Sequence, residues 1–155
     1  MHLSYGITGF YNSGENPPPR NDGKLFKRLC FEAARSIEAE LITFQPPRVD
    51  TNFFEAVLDN GTKRIHILMN AHYPIIAFAA SVSFKHIIFY DEPVLSEIFK
   101  GFYVCEAKEL NQLLKIRTAP VFSVGQENDL NSAEMGQIVH WQPCTVGELV
   151  FNHWD

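Results

Sequence analysis

The chain has 155 residues, 46% of them hydrophobic and 20% charged, with 13 Lys and Arg against 18 Asp and Glu for a formal net charge of -5. That length suits a single hydrophobic core, and the composition excludes a mostly disordered chain. No apolar run approaches the roughly 18 residues of a membrane span, the opening MHLSYGITGF lacks the basic and apolar regions of a secretory leader, and the scattered basic residues offer no stripe to a nucleic acid.

Residues 2–11 are rich in Tyr, Ile, Thr and Phe and read as a strand, with Gly6 and Gly9 marking a bulge or a close backbone approach. NSGENPPPRNDG follows. Pro17, Pro18 and Pro19 cannot sit in a helix interior or a central strand, so this is a stiff surface loop. Residues 22–39 make the clearest helix. Leu25, Phe26, Leu29, Cys30, Ala33, Ala34 and Ile37 share one apolar face, and Asp22 can cap its start.

Residues 41–45 form a short strand stopped by Pro46 and Pro47. Residues 53–58 and 62–70 then read as a hairpin, because Asn60-Gly61 between strand-like runs is a strong turn signal. Alternation puts Ile65, Ile67 and Met69 on one face and Arg64, His66 and Leu68 on the other. Residues 74–83 and 85–90 lose this alternation and read as central strands buried on both faces.

Asp91-Glu92-Pro93 suits a helix start, and Gly101 suits its end. Residues 107–115 read as a helix with Leu110, Leu113 and Leu114 on one side. Residues 120–124 and 137–142 read as strands around a polar loop at 125–131. In the tail, Thr145 and Glu148 match a capping box, opening a short helix that buries Val146, Leu149, Val150 and Trp154.

The chemistry-bearing residues are sparse. Cys30, Cys105 and Cys144 are an odd, widely spaced set, which describes no disulfide framework and suits a reducing, cytoplasmic compartment. No phosphate loop, dinucleotide fingerprint or nucleophile elbow is present. His66 and His72 flank a strand end without the i, i+2 spacing that would place them on one face. His140, Cys144 and His153 are the nearest approach to a metal set, yet no paired-ligand motif joins them, so neither metal nor cofactor is expected. Cys144 precedes a helix start, where a thiol is activated, and His140 lies four residues upstream. This pair is the candidate nucleophile and base of an alternative reading, a small hydrolase or ligand-binding protein. Asp91 and Glu92 are explained by a helix N-terminus. With Glu97 they are also the acidic candidates for contact with a basic partner.

The run Trp141-x-Pro143-x-Thr145-Val146-Gly147-Glu148-Leu149-Val150-Phe151-Asn152-x-Trp154-Asp155 resembles the C-terminus of small bacterial proteins of immunity type, which neutralise secreted toxins. The resemblance implies a cytoplasmic inhibitor without chemistry of its own, acting by occlusion on a toxin. The expected fold is one α+β domain over residues 1–155, with a mainly antiparallel sheet of roughly five to seven strands packed against three or four helices. The expected function is protein binding.

Overall fold

The hairpin at 53–70 organises the molecule. In the computed structural model, which describes residues 1–155, β2 (Phe53–Asp59) and β3 (Arg64–Asn70) pair antiparallel from Asp59↔Arg64 to Phe53↔Asn70. Their connection, residues 60–63, is longer than the two-residue turn that Asn-Gly favours. It wraps around the Asn60 side chain, whose Oδ1 accepts from the N–H groups of Thr62 and Lys63. β1 (Glu40–Gln45) pairs antiparallel with β2, β4 (Ile75–Val82) with β3, and β5 (Ile87–Phe89) with β4. β6 (Tyr103–Val104) joins β4 in parallel at Ile75 and Ile76, completing a six-stranded sheet in which β1-β2-β3-β4-β5 run in order and β6 pairs with the start of β4.

Both faces of this sheet are covered. Ile65, Ile67 and Met69 face a layer formed by α1 (Lys24–Ser36) and a second short helical segment, α2 (Pro93–Ser96) with the 3-10 turn Glu97–Phe99. Phe26, Cys30, Ala33 and Ala34 are the buried stripe of α1. Leu25, expected on that stripe, is half exposed at its edge. Leu68 faces the opposite layer, as the alternation predicts, among Leu3, Ile7, Leu149 and Phe151. Each such side chain withdrawn from water contributes about 1.5–3 kcal/mol. β4 is buried from Ile75 to Ala79 because layers cover both its sides. β5 is an edge strand rather than a central one, and Ile88 is exposed there.

The opposite layer contains α3 (Ala107–Leu110), the small hairpin of β7 (Ile116–Arg117) and β8 (Ser123–Val124), α4 (Ser132–Trp141) and α5 (Val146–Val150). There are thus five short α-helices where three or four were expected. The helix predicted at 107–115 ends after one turn. Beyond Asn111 the chain bonds to the tail instead: Leu114 N–H donates to the Cys144 carbonyl, and Val146 N–H to that of Gln112. Leu113, placed by its spacing on a buried side, is exposed.

Two predicted strands are absent, and one buried carboxylate accounts for both. Residues 2–11 fold into turns, with Gly6 and Gly9 at φ of 75° and 96°. Gly6 abuts Pro18 so closely that a Cβ would collide with the proline ring. Glu134, fully buried, accepts from the N–H of Gly6 at 2.8 Å, the N–H of Thr8 at 3.0 Å and the Thr8 hydroxyl at 2.6 Å. The same carboxylate accepts from Asn131 N–H, while Asn131 Oδ1 accepts from Glu134 N–H. This reciprocal cap starts α4, which runs through residues 137–141 and overrides the β-forming character of Ile138, Val139 and Trp141. Gln142, at φ 51°, ends it before Pro143.

Candidate binding clefts

Two clefts flank the C-terminal tail, and a buried asparagine network holds their shared wall. Asn52 Nδ2 donates to the carbonyls of Ile7 and Val150, both at 2.9 Å. Asn70 Nδ2 donates to the same two carbonyls at 3.0 and 2.9 Å. Asn152 Nδ2 donates to the carbonyls of Thr8 and Leu149. Three amides therefore satisfy backbone carbonyls that loops and a helix end would otherwise leave unpaired in the interior. Asn152 and Trp154 line both clefts.

The first cleft, about 260 Å³, lies between the β4–β5 turn and the tail. Phe84 stands 64% exposed on its lip. Trp141 and Trp154 lie nearly parallel in its wall, 3° apart with centroids separated by 6.5 Å, and Trp141 Nε1 donates to Gln137 Oε1. His153 sets its ring edge-on to Phe53, at 5.3 Å and 88°, and 5.8 Å from Phe84. Burial holds the His153 pKa below its ordinary 6.5 and Arg48 adds to this, while the Asp50 and Glu55 carboxylates oppose it. Gly147 lets α5 close this wall. A Cβ there would sit 2.5 Å from the Phe89 ring and 3.0 Å from the Leu110 carbonyl oxygen.

The second cleft, about 230 Å³, lies between the N-terminal turns, the proline loop and the β1–β2 connection. Arg20, Arg48 and His72 contribute its charge-bearing groups. His72 Nδ1 lies 2.8 Å from the Pro19 carbonyl oxygen. A carbonyl only accepts, so Nδ1 carries the hydrogen.

No family model, curated protein or solved structure matches this chain. No helix is long and apolar enough to cross a membrane.

The sequence-predicted site residues fall elsewhere. Cys144 is exposed, and its N–H donates to Glu148 Oε2 at 2.6 Å. The cap of α5 is thus staggered: Thr145 Oγ1 accepts from Glu148 N–H, but the Glu148 carboxylate returns to Cys144 rather than to Thr145. His140 sits in the last turn of α4, not on a strand, with its ring edge-on to Trp141 at 5.1 Å. Cys144 and His140 line neither of the two clefts, whereas His153 lines the first. The trio of His140, Cys144 and His153 does not gather into a ligand set. Asp91 Oδ1 accepts from Ala107 N–H at 2.7 Å. Glu92 Oε2 accepts from the Tyr90 hydroxyl at 3.0 Å and lies 3.5 Å from Lys63 Nζ. Glu97 is exposed, 3.5 Å from Lys100 Nζ. Sequence reasoning missed Phe84, Arg20 and Arg48. Their only local signal is position: a large apolar residue in a predicted turn, and arginines directly following proline runs.

Proposed function

We propose that this chain is a non-catalytic protein-binding module, an immunity protein that neutralises a basic toxin domain by occlusion. The observation that carries the reading is Phe84, held 64% exposed at the lip of an aromatic-walled cleft. A large ring on a turn, beside a concave wall of Trp141, Phe151 and Trp154, has the composition of an interface hot spot. Edge strand β5 brings Ile87 and Phe89 to the same cleft, and the free side of that strand offers unpaired backbone groups to a partner.

Charge supports the same reading. The net charge of -5 favours encounter with a basic surface. Asp91, Glu92 and Glu97 follow β5 directly; the first two are committed to internal contacts and Glu97 points outward. The tail run that resembles immunity-type proteins supplies one wall of the cleft through Trp141, Pro143, Gly147, Phe151 and Trp154. Three unpaired cysteines fit a cytoplasmic inhibitor.

The test is to express the product of the neighbouring upstream gene, then measure its binding to this chain by calorimetry and relief of its toxicity by growth. Tight binding and relief are expected. Phe84→Ala should weaken binding by about 30-fold, the equivalent of about 2 kcal/mol, with an unchanged unfolding midpoint. A wild-type chain that leaves the neighbour fully toxic, or a Phe84→Ala variant that binds as tightly as wild type, overturns the reading.

A further inference from the structure

We propose that the second cleft is a binding site for a small oxyanion, a carboxylate or a phosphate, held by Arg20, Arg48 and the Nε2 atom of His72. The charge pattern of its wall is the first argument. Acidic residues outnumber basic ones in this chain by 18 to 13, yet the cleft is lined by two arginines and a histidine and by no Asp or Glu. Three loops distant in sequence bring these groups together: the proline loop carries Arg20, the β1–β2 connection carries Arg48, and the turn after β3 carries His72.

The availability of the donors is the second argument. Arg20 is exposed and forms no ion pair within the chain. Arg48 is held only by a 3.7 Å approach of its Nε to Asp50, which leaves its terminal nitrogens free. The amides of Asn52 and Asn152, which also reach the cleft, are consumed by backbone partners. The binding chemistry therefore rests on the guanidinium groups, whose planar donors match an oxyanion, and on His72.

The third argument is the fixed orientation of His72. Because its Nδ1–H donates to the Pro19 carbonyl, Nε2 is the atom left for a ligand, and it lies 3.6 Å from where a Cβ on Gly9 would stand. Phe10, Tyr11, Pro17 and Pro47 give the cleft an apolar side. A volume of about 230 Å³ is several times the roughly 30 Å³ that one water occupies, enough for a phosphate or a short-chain carboxylate.

Binding couples to protonation. Burial, with Arg20 adding to it and the Pro19 carbonyl opposing it, keeps His72 neutral at pH 7. The other charged or titratable residues lining the cleft are Arg48, which approaches Asp50, and Tyr11. An anion at Nε2 stabilises the imidazolium, so binding takes up a proton and tightens as pH falls below neutrality.

The site is independent of the protein-binding reading and is tested on the free chain. Inorganic phosphate and acetate are titrated separately at low ionic strength, with the His72 ring resonances followed by NMR. A saturable shift of His72 with at least one of them is expected, and whichever saturates first identifies the ligand class. Arg20→Gln with Arg48→Gln, both exposed, should weaken that binding at least tenfold without changing the unfolding midpoint. His72→Gln should remove its pH dependence. No saturable shift with either anion, or saturation untouched by the double arginine variant, overturns the proposal.

Discussion

The backbone N–H of Asn152 donates to Asn52 Oδ1 at 2.7 Å across 100 residues of chain, and the Asn52 N–H returns to the Asn152 carbonyl. This reciprocal pair ties the residue that precedes β2 to the tail. Both side chains are buried and reach four carbonyls between them, those of Ile7, Val150, Thr8 and Leu149. The wall common to both clefts therefore depends on amide geometry rather than on apolar packing alone.

Asn152→Ala is expected to destabilise the fold by about 2–4 kcal/mol, because it strands the Thr8 and Leu149 carbonyls and the Trp154 N–H without partners. Asn152→Asp should cost at least as much, since a carboxylate oxygen would then face two carbonyl oxygens. Urea unfolding followed by tryptophan fluorescence measures both. A loss under about 1 kcal/mol for the alanine variant would mean that water replaces the amide.

Stability should fall as the solution is made acid. His72 and His153 both titrate below their ordinary 6.5 in the folded chain, burial being the main cause. For a group with a lowered folded pKa of this kind, the unfolded chain takes up the proton first. Stability is therefore full above 6.5, declines below it, and levels off beneath the folded pKa values. The double variant His72→Gln, His153→Gln should show a flatter urea midpoint between about pH 7 and pH 5 than wild type. Asp59, held below 3.8 by the Gly61 N–H and by Arg64, acts in a separate and more acid window. An identical slope for wild type and double variant would locate the acid sensitivity in other groups.

Native alkylation should label one cysteine. Cys144 is exposed, while Cys30 and Cys105 are buried and their thiols are pushed up by that burial, Cys105 further by Glu109. Iodoacetamide at neutral pH is expected to modify Cys144 alone, and all three after denaturation in urea, as read by mass spectrometry of peptides. Labelling of Cys105 in the native protein would report local opening of the segment between β6 and α3.

Local pattern alone was enough to identify those elements whose periodicity reports burial directly. The alternation at 64–70 placed Ile65, Ile67 and Met69 against one layer and Leu68 against the other. The stripe of Phe26, Cys30, Ala33 and Ala34 identified α1, and Thr145 marked the start of α5. These signals are local, and the side chain that carries each one is also the side chain that is buried or bonded.

Tertiary structure decided the rest. Residues 2–11 have strand-forming composition, but Gly6 donates to a carboxylate 128 residues away, and four donors gathered on Glu134 outweigh the local preference. The capping box at Asn131 and Glu134 turned a strand-like run into α4. His140 and Cys144, close in sequence, fall on different elements because Gln142 and Pro143 end α4 between them. Arg20, Arg48 and His72 converge only because three loops close over one another. Periodicity describes which side of an element meets the core. It carries no information about which loops meet, and in this chain both clefts are made where loops meet.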